Sequence, residues 1–293
     1  MACVTSASGV QIPLLPQNDY VMKTPITYYG GKQQLADDII GMMPPHKIYC
    51  EPFFGGGAVF FAKGASFLEV INDRNDLLIT FYKVCVQDFD RLQEKIQCTL
   101  HSQSEYNKAK RIYNNPKHQS KLNIAWAVWV VTNMSVMATP RGGWKRDNGT
   151  GGSHVGVTTA QHRKNFTAAV YDRLRYVQVS CKDAIDVITE RDTPDTFFYL
   201  DPPYINCDQK HYRGYTKEDF KKLLQVLSGI KGKFILSNFQ SDILSQFIED
   251  NHWFFRVIDR KCMIPALIGQ PRRKQEVLVC NYTPYPSLFD EQE

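Results

Sequence analysis

Long apolar runs are missing from this chain: stretches such as Trp126 to Val131 fall far short of the roughly 20 residues that span a bilayer. The N-terminus lacks a charged segment followed by an apolar one, which argues against secretion and for a cytoplasmic protein. Cysteine occurs eight times but never as a Cys-x-x-Cys pair, and no histidine stands at zinc-finger spacing. The expectation is therefore reduced, mostly packing thiols and no bound metal. No internal repeat and no low-complexity tract is present. Strong charge of one sign is also lacking, because a net charge of +5 is only mildly basic and does not by itself argue for nucleic acid. A phosphate loop is excluded as well. Tyr28-Tyr29-Gly30-Gly31-Lys32 lacks the first glycine of that motif, and Gln33 follows where Ser or Thr is required.

What the chain does have is a 43% apolar content over 293 residues, enough for one large α/β domain and a smaller one. Its charge is unevenly placed. Between Lys83 and Tyr176 there are 15 Lys and Arg against 6 Asp and Glu, a balance of +9 that leaves the remainder at −4.

The hydrophobic pattern predicts a strand over Lys47 to Cys50, a glycine turn, and a helix starting at Ala58 to Ala62. A strand Phe67 to Ile71 and a helix Leu77 to Val86 follow, the opening βαβα of a doubly wound fold. The next strand, Tyr176 to Ser180, begins about a hundred residues later, far beyond an ordinary crossover, so a segment has been inserted. Its first part reads as helical, over Phe89 to Tyr113 and Lys121 to Met137, and Arg141 to Gly156 reads as an exposed glycine-rich hairpin or loop. Alternation then resumes with strand Phe197 to Leu200, helix Lys217 to Leu227, strand Lys233 to Ser237, helix Ser241 to Glu249, and strands Trp253 to Ile258 and Glu276 to Tyr282. These boundaries divide the chain into an irregular arm (1–22), a core domain (23–86 and 176–284), an insert (87–175) and an acidic tail (285–293).

The sharpest motif is Asp201-Pro202-Pro203-Tyr204, directly after an apolar strand. Average residue usage would produce this tetrapeptide in a chain of this length on the order of once in a thousand. It suits an exocyclic amine. The lone pair of adenine N6 is delocalised into the ring, so methylation there benefits from acceptors that bind both N–H protons as the nitrogen becomes tetrahedral and positive. Asp201 offers one acceptor, the stiffly held Pro202 carbonyl another, and Tyr204 a face for an extruded base. The alternative is a proline-stiffened turn with a packing tyrosine.

Glu51-Pro52-Phe53-Phe54-Gly55-Gly56-Gly57 follows the first strand, where open α/β sheets bind ligands and glycine permits close backbone approach. Its aromatic pair suits a nucleoside or methionine chain better than a pyrophosphate. Asp73, ending the second strand, stands where an acid meets ribose hydroxyls. Asp183 is a candidate for a cofactor adenine and equally for a helix N-cap.

Together these motifs resemble the DNA adenine-N6 methyltransferases typified by the enzymes that methylate adenine in GATC, in order along nearly the whole chain. The resemblance implies a Rossmann-like methyltransferase sheet carrying an inserted, mainly helical target-recognition domain. It implies S-adenosylmethionine as cofactor, contacted by Tyr28, Lys32, Glu51, Pro52, Phe53, Gly55, Gly57, Asp73, Asp183 and Asp201, and catalysis by Asp201, Pro202 and Tyr204. The partner implied is double-stranded DNA, met by a monomer or weak dimer in a prokaryotic or phage setting, with room for a cognate restriction endonuclease. Inside the insert the chain departs from the GATC enzymes. There Arg141, Lys145 and Arg146 are candidate contacts to phosphates or guanine edges and Trp144 a candidate wedge, against a solvated loop with an anchoring tryptophan. Methylation of cytosine N4 or of an RNA adenine is the competing enzymatic reading, disfavoured by Asp rather than Ser before Pro202. A catalytically silent DNA-binding homologue is the non-enzymatic one.

Overall fold

Strands that read as unbroken apolar runs need both faces covered, which places them inside a parallel sheet flanked by helices. A computed structural model of the chain shows this arrangement. It describes residues 22–149, 154–204, 215–258 and 276–284, together with two short antiparallel strands, β1 (Cys3–Thr5) and β2 (Gln11–Pro13).

The main sheet comprises β3 (Ile48–Glu51), β4 (Leu68–Asn72), β5 (Gln178–Ser180), β6 (Thr196–Leu200), β7 (Lys233–Phe239), β8 (Phe254–Ile258) and β9 (Glu276–Cys280), in the order β5-β4-β3-β6-β7-β9-β8. Pairing is parallel from β5 through β7, and β9 runs antiparallel between β7 and β8. The chain builds outward from β3 to β5 and then returns to β6 beside β3. The switch point of the sheet therefore lies between β3 and β6, where ligands bind beyond the strand carboxyl ends.

Successive strand residues point to opposite faces, and each face has its own core. Tyr49, Phe197, Tyr199 and Ile235 pack with α1 (Ala36–Met42), α2 (Ala58–Ala62) and α3 (Asp76–Gln87). Cys50, Phe198, Leu200 and Leu236 pack with α9 (Ala184–Arg191), α10 (Lys217–Leu227) and α11 (Asp242–Asn251).

Between β4 and β5 lie α4 (Phe89–Gln97), α5 (Gln103–Asn114), α6 (Lys121–Met134), α7 (Val155–Asn165) and α8 (Ala168–Leu174). The continuous helix expected over 89–113 is broken because Ser102 caps a new helix, accepting the Glu105 amide, while the Thr99 hydroxyl binds the Lys95 carbonyl. Helices α1, α7 and α8 carried no clear periodic signal. Every residue of α6 from Ala125 to Met134 is buried, as expected for a helix apolar all round. It packs against both α3 and α5 and shares the core of the first sheet face.

Two polar links fasten this helical region to the rest of the fold. Asn133 on α6 accepts hydrogen bonds from the Thr27 amide (3.1 Å) and hydroxyl (2.9 Å), holding the segment that leads to Lys32. Glu69 on β4 is ion-paired with Lys63 beyond α2 (2.5 Å) and with Arg173 on α8, and all three are largely buried. After α6 the chain makes a tight turn in which Met137 (φ 60°) and Ala138 (φ 53°) are left-handed, at a cost of order 1–3 kcal/mol each. No helix among the described residues is long and apolar enough to cross a membrane.

Candidate active site

The glycine turn after β3 and the tetrapeptide after β6 face each other across the switch point. They form the walls of one cleft of about 690 Å³, lined also by the segment around Lys32, by the ends of β4 and β5, and by Ala138 to Arg141. Tyr28, Lys32, Glu51, Pro52, Phe53, Gly55, Gly57, Asp73, Asp183, Asp201, Pro202, Tyr204 and Arg141 all line it. Trp144, Lys145 and Arg146 do not. Trp144 is half-buried and stacked on His101, with ring centroids 5.3 Å apart.

The glycine turn is shaped by its own aromatic residue. Gly57 is left-handed (φ 66°), and a Cβ there would sit 2.5 Å from the Phe54 ring, which is buried beneath the turn. The turn is secured from β4, since one oxygen of Asp73 accepts the Gly55 amide at 2.9 Å and the other accepts the Asn75 amide at 2.8 Å. Burial raises the carboxyl of Asp73 above its usual range despite these amides. Asn72 is a participant that pattern reasoning missed. Its side chain donates to the carbonyls of Pro52 and Lys182 and accepts from Ser180 and the Lys182 amide, joining the loops after β3 and β5. Asp183 does cap α9, accepting the Ile185 amide at 3.0 Å, and it is exposed on the cleft wall. The two readings of this residue are compatible.

Around Asp201 the polar groups converge. Its Oδ2 accepts from Lys32 Nζ at 2.8 Å and its Oδ1 from the Ser237 hydroxyl at 3.0 Å. Lys32, only 8% exposed, also donates to the Gly30 carbonyl and lies 3.5 Å from Glu276. Burial alone would lower the pKa of this ammonium, but Asp201 and Glu276 outweigh it and hold the group above its ordinary value. Asp201 thus faces a fixed positive charge. Tyr204 donates to Glu276 at 2.6 Å, meets Phe239 edge-on at 4.6 Å, and carries the Lys32 ammonium 4.9 Å from its ring centre. Ser237 and Glu276 had no motif to mark them: they reach Asp201 and Lys32 only because β7 lies beside β6 and β9 beside β7.

Ser237 is itself fully buried and lies 3.2 Å from the Tyr199 hydroxyl, so a short polar chain fixes the Asp201 carboxylate from below. Ser237→Ala is expected to lower the turnover supported by this cleft about tenfold through misorientation of Asp201, leaving ligand affinity at the glycine turn within about twofold. Single-turnover kinetics would check it, and Ser237→Thr should restore most of the loss.

A second buried carboxyl, Glu51, lines the cleft and accepts the Tyr49 hydroxyl at 2.7 Å. Burial raises it to about 8, countered by the tyrosine hydrogen bond and reinforced by Asp201. The cleft therefore offers carboxyls beside a glycine turn and aromatic faces, a donor set suited to a nucleoside carrying a positive charge.

The family model described as D12 class N6 adenine-specific DNA methyltransferase matches residues 28–261. Type II methyltransferase M.MjaIII of Methanocaldococcus jannaschii is 28% identical over 291 residues, covering 88% of this chain and 98% of that protein. Type II methyltransferase M1.LlaDCHI of Lactococcus lactis subsp. cremoris is 25% identical over 255 residues, covering 81% of this chain and 88% of its own. Among solved structures, an rRNA methylase from Streptococcus thermophilus superposes with a TM-score of 0.34 at 8% identity, over 84% of this chain and 94% of that one, and carries no weight beside the family match.

Proposed function

The chain belongs to the D12 class of N6 adenine-specific DNA methyltransferases, and from that premise we propose that S-adenosylmethionine binds at the glycine turn and a flipped adenine is presented to Asp201. The observation that carries this reading is the placement of Asp201 at the end of the central strand, facing the glycine turn across the switch point and ion-paired with a buried lysine. S-adenosylmethionine, when bound, supplies an activated methyl group on a sulfonium. The residues present, all lining one cleft, fit it: Asp73 would meet a ribose and Asp183 an adenine amino group, Tyr28 and Phe53 would give apolar faces, and Glu51 and Asp201 would oppose positive charge.

Asp201 and the Pro202 carbonyl accept the two N6 protons of the target and turn its nitrogen lone pair toward the methyl donor. Tyr204, pinned by Glu276 and Phe239, stacks on the base. Lys32 holds one oxygen of Asp201 at 2.8 Å and the Ser237 hydroxyl holds the other at 3.0 Å, so the side chain is fixed in place as an acceptor. Positioning and preorganised charge supply the acceleration. The segment 87–175 reads the duplex, with Arg141, Lys145 and Arg146 as its contacts to phosphates or base edges. The type II designation of both relatives supports a site-specific enzyme with a cognate restriction endonuclease. Sequencing with adenine-modification detection, on DNA from a methylation-deficient host expressing the chain, should find N6-methyladenine at one short motif. Unmodified DNA from a host that makes the folded protein would sink the proposal.

A proton should be released when the cofactor binds. Glu51 holds its proton up to about pH 8 in the free protein, and a cation arriving beside it favours the carboxylate. Affinity then falls by up to about tenfold per pH unit as pH drops below that value. Calorimetric titration at pH 7 in buffers of differing ionisation enthalpy should detect release approaching about one proton, abolished in Glu51→Gln. The same null result in the wild-type protein would remove Glu51 from the cation's surroundings.

A further inference from the structure

Next to the cleft mouth two large apolar side chains stand in solvent: Val136 is 46% exposed and Met137 56%. They follow α6 after the capping Ser135 and directly precede Ala138 to Arg141, which line the cleft. Exposure of a single apolar side chain is ordinary. Here it coincides with a turn whose conformation is costly and held from several sides.

Met137 and Ala138 are both left-handed, and the chain around them is closed by backbone bonds from the Val136 amide to the Gly143 carbonyl (2.9 Å) and from the Lys145 amide to the Met134 carbonyl (2.8 Å). Tyr106 and Lys110 on α5 both donate to the Gly142 carbonyl, at 2.6 and 2.9 Å. A Cβ on Gly142 would lie 2.4 Å from the Val136 carbonyl, so the two arms of the turn touch. The turn is thus a braced support with an apolar tip, set among Lys110, Arg141, Lys145 and Arg146. Trp144, the larger aromatic nearby, is turned inward onto His101 and serves as part of the brace.

We propose that Met137, backed by Val136, is a wedge that enters the DNA stack and fills the space vacated by the target adenine. This rests on the reading of the cleft as the pocket for a flipped base. An apolar side chain can open a base step and hold it open, repaying lost stacking by burying itself against base faces. A methionine suits the irregular gap because its thioether is flexible and packs well on aromatic rings. A wedge must also be stiffly mounted, which explains why a left-handed pair is retained at the tip. The basic side chains around it hold the phosphates on either side of the opened step.

The experiment compares methyl transfer on two duplexes carrying the recognised motif: one with the target adenine paired to thymine, and one with it opposite an abasic site, where little unpairing energy is needed. Met137→Ala is expected to lower kcat/KM on the paired duplex by about 10- to 100-fold and on the abasic duplex by no more than about threefold. Met137→Leu should keep most activity on both. Equal losses on the two duplexes, or no loss on the paired one, would overturn the wedge. Wild-type activity on both duplexes is the control for the methyltransferase reading itself. If it is absent, that reading fails rather than the assignment of Met137.

Discussion

Asp201→Asn methylates DNA about 10²- to 10³-fold more slowly than the wild-type protein, or slower still, while duplex binding stays within a few-fold. The asparagine keeps the size of the side chain and, through its carbonyl oxygen, can keep the hydrogen bond now made by Ser237. What it loses is the negative charge that faces Lys32 at 2.8 Å and, in the proposed mechanism, one acceptor for the N6 protons. The reacting amine is uncharged at the outset and becomes cationic as the methyl arrives, so a fixed anion stabilises the transition state more than the ground state. The loss therefore appears in kcat rather than in KM for DNA. Single-turnover transfer together with a filter-binding titration separates these quantities. Retained turnover in Asp201→Asn would remove the carboxylate from the chemistry, and a parallel loss of DNA binding would place it in recognition instead.

Glu69→Ala should be the most destabilising of the simple substitutions outside the cleft. Glu69 is 5% exposed and faces two cations, Lys63 and Arg173, which are themselves largely buried. Burial alone would raise its pKa, but the Arg173 hydrogen bonds and the Lys63 charge outweigh that and hold the carboxyl below its usual range. A group so depressed contributes stability at pH above its unfolded value, lost as pH falls through its folded one. Removing it leaves two uncompensated buried charges, at a cost of about 3–5 kcal/mol. At about 2–4 °C per kcal/mol for a chain of this size class, the melting midpoint should fall by roughly 6–20 °C. Replacing all three residues by methionine should recover most of that loss, because an apolar triad carries no desolvation penalty. Calorimetric melting of the single and triple variants checks both statements. A triple variant as unstable as the single one would show that the triad acts through geometry rather than charge. Since Arg173 lies on α8 and Glu69 on β4, the single variant should also loosen the helical region from the sheet, visible as faster amide exchange in α8.

Most of the sheet was legible beforehand because parallel strands are short apolar runs bounded by glycine, proline or acids. The strand over 67–71 and the one over 197–200 fall within a residue of β4 and β6. Helices α7 and α8 were not legible. Their apolar positions are few, and α7 buries only Val155 and Thr159 along its length. The motifs of the cleft were likewise visible as local patterns, each on a strand end. Their supports were not: Asn72, Ser237 and Glu276 are ordinary polar residues in strands, and nothing in their neighbours distinguishes them. Trp144 shows the same limit in reverse. A tryptophan beside arginines and lysines reads either as a DNA wedge or as an anchor for its loop, and the local pattern announces neither its half-buried ring stacked on His101 nor the exposed Met137 at the tip of the turn.

The sequence by itself determined the alternation of strands and helices, the interruption after the second strand, and the residues at the carboxyl ends of the central strands. These follow from periodicity and from the backbone demands of glycine and proline, which act over a few residues. Only the tertiary structure decided that the two central strand ends face each other, that a lysine 169 positions before Asp201 is its counter-ion, and that Glu276 closes the cluster. Strand order and side-chain pairing across a sheet are set by the packing of its whole surface, and no short stretch of residues contains that information.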